Sequence, residues 1–413
     1  MQMNLRKLWP VFGLICVSLF TTANAHPYDK DSDRGSSDMQ DYQRGNYREI
    51  TPNAGPRVAH GADVFMNVDF IWWKAVQGGN DFLVSSTMID SPKIRVTELA
   101  TKASVPRDTR QNTSENWSPG FKVGLGLNMG HDGWDVYTQY TWLNSSSDRT
   151  LDSDVYLRLY PFPAAAVPGI QQAAALAEKG KIDKISSDWS LRFNVIDLEL
   201  GRNFYLSQFL TMRPFIGLKG TWQDQSLGIQ TMLQKDSVFV VQYDAGDNKA
   251  EFTGPYKADS IMKNGGIGVR TGFNMSWKMT KNWSLYSDLA WSSMWTQYTQ
   301  LSRKDKISNA TKPEAFKKMG EVVVLDENSD KFYAVRDVME LELGMRWEAW
   351  MSDDNYYLAF QAGWEQQVWN NWGTGLLSSY YRPYAEHLSP YRNAQGWNDL
   401  SFQGLNVKLR FDF

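Results

Sequence analysis

The end of the chain alternates residue by residue. Leu405, Val407, Leu409, Phe411 and Phe413 interleave with Asn406, Lys408, Arg410 and Asp412. A period of two puts the first set on one face of an extended strand and the second on the other, whereas a helix would scatter both. The pattern recurs from residue 62 onward. Val64, Met66, Val68, Phe70 and Trp72 oppose Asp63, Asn67 and Asp69, and the runs within Phe121–Met129, Trp134–Trp142, Trp189–Gly201, Leu210–Trp222, Ile267–Trp277, Trp283–Trp291, Met339–Trp347 and Tyr356–Trp364 alternate in the same way. In Trp189–Gly201 the apolar phase flips near Val195-Ile196, which suggests a β-bulge.

About ten strands result, each long enough to cross a bilayer at a tilt. Their connections alternate too. Short ones fall at Gly130–Gly133, Asn203–Gln208, Thr280–Asn282 and Met351–Asn355, and long polar ones at about 76–117, 144–186, 224–262, 298–334 and 370–398. Short turns on one side and long loops on the other are the layout of an outer-membrane barrel, with an even strand count leaving both ends on the short-turn, periplasmic side. Trp72, Trp134, Trp142, Trp222, Trp277, Trp283, Trp347 and Trp364 lie near strand ends, where a barrel carries its aromatic girdles and a soluble sandwich has no common reason for them. The expected fold is all-β: a transmembrane antiparallel β-barrel over 62–413 with long extracellular loops and short periplasmic turns. The count rises to twelve to sixteen if Leu83–Ile89, Ile94–Leu99, Ser237–Tyr243 and Glu321–Leu325 join the wall. Ala164–Gly180 reads as a short helix at the mouth.

Ahead of the barrel, residues 1–25 have the form of an export signal: Arg6 and Lys7, an apolar Leu8–Phe20, then Ala23-Asn24-Ala25. Cleavage after Ala25 takes the formal charge from −3 to −5 and removes Cys16, the only cysteine. The mature chain then has no disulfide, thiol nucleophile or thiolate metal site. Residues 26–61 are polar and aperiodic, a flexible leader. The near balance of 43 Lys+Arg and 46 Asp+Glu excludes a nucleic-acid partner held by bulk positive charge.

The polar faces hold the functional candidates. The basic set is Lys122, Arg192, Arg213, Lys219, Arg270, Lys278, Arg336, Arg346, Lys408 and Arg410. The acidic set is Asp69, Asp135, Asp197, Glu199, Asp288, Glu340, Glu342, Glu348 and Glu365. At mid-membrane depth a charge facing hydrocarbon costs about 2–4 kcal/mol, so these must face the interior. Lys122, Asp135, Arg192, Glu199, Arg213, Lys219, Arg270, Asp288, Arg336, Glu340, Glu342 and Arg346 are the candidate pore lining. Ten strands lie near the size at which side chains fill a barrel, so an open pore and a packed ion-pair interior both stand. Ile196–Gly201 (IDLELG) and Met339–Gly344 (MELELG) echo one another.

No catalytic set emerges. His26, His60 and His131 lie in the leader, beside it, or in a periplasmic turn, and His387 in a long loop without a partner. No histidine pair has metal-ligand spacing, and Asp326–Asp330 lacks the spaced ligands and glycine of a calcium loop. No enzyme activity, cofactor or metal is expected. Asn112-Thr113-Ser114 and Asn309-Ala310-Thr311 match a glycosylation sequon, which carries little weight on a barrel's export route. Phe411 and Phe413 are the candidate signal for the barrel-assembly machinery.

Ile196–Phe204 (IDLELGRNF), Leu210–Trp222 (LTMRPFIGLKGTW) and Val407–Phe413 (VKLRFDF) together resemble the Legionella-type major outer-membrane protein family, which is similar to the porin-like proteins of environmental chlamydiae. The resemblance covers about 62–413 and implies a pore-forming barrel passing small hydrophilic solutes. The related proteins of pathogenic chlamydiae are cysteine-rich and cross-linked, so a disulfide-linked coat is not implied here. The partners expected are outer-membrane lipid, the assembly machinery, small hydrophilic solutes, further copies of the chain, and host or cell-surface molecules at the long loops. The alternative to a porin is a plugged structural or adhesive barrel.

Overall fold

The computed structural model describes residues 54–58, 63–78, 81–90, 104–112, 116–129, 133–152, 156–159, 182–233, 235, 238–242, 249–312, 314–318, 320–374 and 397–413. Ten strands form the wall: β1 Val64–Gln77, β2 Trp117–Asn128, β3 Trp134–Asp152, β4 Ile182–Arg202, β5 Leu210–Leu233, β6 Tyr256–Lys278, β7 Trp283–Ser308, β8 Phe332–Met351, β9 Tyr356–Thr374 and β10 Trp397–Asp412. Each pairs antiparallel with its neighbours in sequence, and β1 pairs with β10 from Phe65↔Asp412 to Gln77↔Leu400, closing the ring.

The weaker segments do not enlarge the barrel. Asp81–Asp90 pairs with Ser104–Asn112 and Tyr156–Leu159 in a separate small sheet. Phe239–Gln242 pairs with Lys249–Phe252, which also meets Ala310–Lys312. Glu321–Asn328 pairs with the far end of β7. One helical turn occurs at Glu314–Lys317. The expected strand Ile94–Leu99, the helix Ala164–Gly180, the leader up to residue 53 and all four histidines lie outside the described residues.

The wall changes character along its height. On β5, Leu210, Met212, Ile216, Leu218 and Trp222 face outward and Arg213 and Lys219 inward; beyond Trp222 the outward residues are Asp224, Ser226 and Gln230 and the inward ones Leu227 and Ile229. On β4, Leu200, Leu198 and Ile196 face outward over inward Glu199 and Asp197. Further up, Asn194, Arg192 and Ser190 face outward over inward Phe193, Leu191 and Trp189. The expected bulge at Val195-Ile196 is absent: both neighbouring ladders run unbroken through Asn194–Asp197. The phase flips because the surroundings change, not the backbone. Below the flip the outside is hydrocarbon and the inside polar; above it the outside is water and the inside an apolar core.

The girdles mark the band. Trp72, Trp142, Trp222 and Trp364 form the upper ring, with Trp117 and Trp295 beside them, and Trp134, Trp277, Trp283 and Trp347 the lower. On β10 the lipid-facing run Leu405–Phe413 spans about 20 Å at ~3.3 Å per residue and a ~40° tilt, most of the ~25 Å apolar band of such barrels. Above the upper ring β3 to β7 continue as a collar, about 25 Å high for the ten or so extra residues of β5. Much of what reads as long loop is therefore wall. Above the band Asp305 accepts from both Arg303 (2.8 and 2.9 Å) and the Tyr256 hydroxyl (2.6 Å).

Glycines on the inner face of β2 make room for what crosses it. A Cβ on Gly126 would lie 2.0 Å from the Phe65 ring, and one on Gly124 2.2 Å from the Tyr137 hydroxyl. The inversion gives a direct test by arginine substitution. Ile216→Arg, on the lipid face, should destabilise by about 2–4 kcal/mol. Ser190→Arg, outward but above the band, should change stability by less than about 0.5 kcal/mol. Leu191→Arg, inward at nearly the same height, should prevent folding. Urea unfolding in liposomes separates the three.

Candidate functional site

Within the membrane band the inward charges are paired across the lumen. Lys219 on β5 forms ion pairs with Asp197 on β4 at 2.8 Å and with Glu340 on β8 at 2.7 Å. Arg270 on β6 reaches Glu340 and Glu199. Arg213 on β5 makes a two-point bond to Asp135 on β3, and also donates to Glu199 at 2.9 Å and to the Asn274 amide oxygen at 2.9 Å. The two echoing motifs thus share cations: Asp197 and Glu199 from one and Glu340 from the other meet at Lys219 and Arg270. Phe215 lies between the Arg213 and Arg270 guanidinium groups, with centroid distances of 5.6 and 5.4 Å.

A second cluster lies on the opposite wall. Lys122 on β2 donates to Glu365 on β9 at 2.6 and 2.8 Å. The Asn406 amide donates to Glu342 at 3.0 Å, Glu365 at 3.3 Å and Asp69 at 3.4 Å, and the Tyr286 hydroxyl donates to Glu342 at 2.6 Å. Lys408 stands 3.7 Å from Asp69. Asp288 is in register between Asn274 and Glu342. With its amide oxygen turned inward, Gln361 accepts from Arg346 at 2.6 and 2.9 Å. Nearer the periplasmic rim Arg410 pairs with Asp412 at 2.7 Å, and Glu348 accepts from Lys278 and the Tyr357 hydroxyl.

These groups surround a cavity of about 270 Å³, large enough to hold several waters. Its lining runs from the periplasmic rim, at Gly55, Tyr205 and Trp350, up to Phe193 and Gln367. The stretch 54–58 reaches the turns at this rim: Arg57 donates to the Met129 carbonyl at 2.8 Å and the Ala54 N–H to the Asn203 carbonyl at 3.4 Å.

Above the cavity the lumen turns aromatic. Phe193 on β4 meets Trp369 on β9, half the ring away, edge to face at 5.2 Å. Phe402 lies 4.5 Å from Phe193 and 5.6 Å from Trp73, and Trp372 lies 4.7 Å from Trp369. All five rings are essentially fully buried. The layers are coupled, because the Lys219 ammonium sits 5.7 Å from the Trp369 centroid and that of Lys122 4.9 Å from Trp73.

Ten of the twelve candidate lining residues face this cavity: Lys122, Asp135, Glu199, Arg213, Lys219, Arg270, Asp288, Glu340, Glu342 and Arg346. Arg192 does not; it is exposed on the outer face above the band, in register with Asn144 and Asp224. Expecting the polar residues to stay inward past Val195, with a bulge shifting the phase, puts it on the wrong side. Arg336 points inward but above the cavity, its guanidinium over the Tyr298 ring at 5.9 Å. The aromatic layer escaped the sequence reading. Its one signal was Trp72-Trp73, adjacent on a strand, so that one of the two must face in. Phe413 follows β10 directly, its backbone N–H donating to the Val64 carbonyl at 3.0 Å, with Phe411 stacked between Tyr356 and Phe413.

A closed, lipid-girdled barrel with a polar lumen defines an outer-membrane β-barrel protein. Residues 56–413 match the family described as Legionella pneumophila major outer membrane protein precursor, and the chain belongs to that family. No curated protein matches it. Among solved structures it is similar to a FadL homologue from Pseudomonas aeruginosa (8% identity, 85% of this chain and 89% of that one, TM-score 0.22) and to the P. putida toluene transporter TodX (8%, 86% and 90%, TM-score 0.21).

Removing a shared cation tests the network. Lys219→Met removes one of the two cations that buried Asp197 and Glu340 share, leaving Arg270, and should cost about 3–5 kcal/mol. Lys219→Met with Glu340→Gln should recover part of that loss. Lys304→Met, which breaks a solvent-exposed pair with Asp326 above the membrane, should leave the urea midpoint unchanged.

Proposed function

We propose that the protein is a narrow porin-like barrel that passes small hydrophilic solutes by passive diffusion, with weak charge selectivity, and that the layer of Trp73, Phe193, Trp369 and Phe402 keeps it closed at rest. The observation carrying this reading is the charge-lined cavity that runs from the periplasmic rim up to Phe193 of that layer. Paired charges of both signs leave no strong overall field, so neither cations nor anions are strongly favoured. The reading needs no cofactor, metal or catalytic group. It takes residues 1–25 as a signal cleaved after Ala25, and Phe411 and Phe413 as the mark read by the assembly machinery. The outer loops are left for neighbouring copies or host molecules.

A second reading has its own support. Phe193 and Trp369 touch across the full ring, as they would in a permanently plugged structural or adhesive barrel. Planar-bilayer recording separates the two. The wild-type protein should be mostly closed, with brief stepwise openings. Phe193→Ala with Trp369→Ala should raise the open fraction at least several-fold, and Arg213→Ala and Glu342→Ala should move ion selectivity in opposite directions. Silence from both the wild type and the aromatic double variant, in folded samples, means a plug. Large, permanently open wild-type channels mean the layer does not close the lumen.

A further inference from the structure

The aromatic layer does not fill the whole cross-section with apolar groups. Along β5 the inward residues above Lys219 are Thr221, Gln223 and Gln225, all buried, and apolar residues resume only at Leu227. Gln223 is in register with Phe193, so an amide flanks the layer at its own height. Gln225, one same-face step higher (~6.6 Å), donates to the Gln77 side-chain oxygen at 3.3 Å, and Gln77 belongs to β1, four strands round the ring. Below, the Gln223 amide donates to the Thr221 hydroxyl at 3.3 Å. A ladder of neutral polar groups thus leads from the cation at the top of the cavity, past the aromatic rings, to a cross-lumen amide pair.

The ladder is not saturated by its own contacts. Among the described residues the side-chain oxygens of Gln223 and Gln225 are buried and have no hydrogen-bond partner. A buried acceptor left without a donor costs about 1–3 kcal/mol. The two amide oxygens, one same-face step apart on β5, are satisfied only by mobile donors, and water is the donor that fits a neutral, narrow track. Apolar side chains at these positions would have packed against Phe193 and Leu191 without such a cost.

We infer that the Thr221–Gln223–Gln225 seam, closed above by Gln77, is the hydrated route past the aromatic layer, and that Gln223 is the selectivity-determining residue at its narrowest point. This rests on the porin reading. The cavity's charges neutralise one another in pairs, whereas the seam is uncharged. A single charge there meets no counter-charge and dominates what passes.

The test uses the full-length protein exported and folded in the outer membrane, purified and placed in liposomes. Cys16, the sole cysteine, lies in the segment expected to be removed on export, so an introduced thiol is the only one. Gln223→Cys should react with a small water-soluble methanethiosulfonate reagent at least tenfold faster than Val338→Cys, which is equally buried and inward but lies on β8 beside Trp369, away from the seam. In bilayers, Gln223→Glu should raise the cation-to-anion permeability ratio several-fold and Gln223→Leu should lower conductance several-fold. Equal, slow labelling of the two thiols in a barrel that conducts overturns the seam and leaves the porin reading standing. Fast labelling of Gln223→Cys in a barrel that never conducts, even as Gln223→Glu, overturns the porin reading and with it the seam as a solute route. Selectivity unmoved by Gln223→Glu in a conducting barrel places the constriction elsewhere.

Discussion

Everything in this barrel follows from a change of solvent part-way up one continuous wall. In the lower part hydrocarbon lies outside, so each outward residue must be apolar, and charged side chains have nowhere to go but the lumen. Above the upper tryptophan ring water lies outside, and the same strands obey the rule of a soluble barrel, polar outward and apolar inward. Backbone pairing carries through the boundary on β4 and β5 without a break. What inverts is only which alternate residue is greasy.

That inversion explains why lumen chemistry comes in layers. Inward charges confined to the membrane band must neutralise one another there, and they do so over short distances around Lys219, Arg270, Arg213 and Lys122. Where the outer face turns polar, the inner face supplies the hydrophobic burial that the collar needs in water. The rings of Trp73, Phe193, Trp369 and Phe402 begin that core and also form the floor beneath it. Each such ring, fully buried, contributes about 1.5–3 kcal/mol. The same side chains therefore stabilise the collar and obstruct the lumen.

The membrane-facing half was legible in the sequence, because lipid demands an apolar residue at every second position and leaves an unmistakable period. Leu210–Trp222 and Leu405–Phe413 announced their strands, and Trp134, Trp277 and Trp283 announced the lower girdle. Most lining charges followed by exclusion from lipid. The upper half was legible in outline but inverted: the flip at Val195-Ile196 was visible, yet a bulge and a change of solvent leave the same trace in one strand. Arg192 went to the wrong face for that reason, and the collar parts of β5 and β7 passed for loops. Which charges pair could not be read, because Lys219–Glu340 and Lys122–Glu365 join strands three apart round the ring. Their meeting depends on strand number and stagger, which no single strand records.

The central claim is that on β4 and β5 the environment inverts at the upper tryptophan ring while the backbone does not; on β7 a register shift opposite Lys263/Asn264 accompanies the same boundary. Spin-label accessibility scanned along β5, residues 211 to 232, measures this directly. Labels at even positions up to 222 should be reached by oxygen dissolved in the bilayer, and those from 224 onward by a water-soluble nickel complex. Labels at 227 and 229 should be reached by neither. Oxygen accessibility continuing along the even positions to 230, or an exchange of the exposed set from even to odd near 223, would contradict the account, since the first denies the collar and the second restores the bulge.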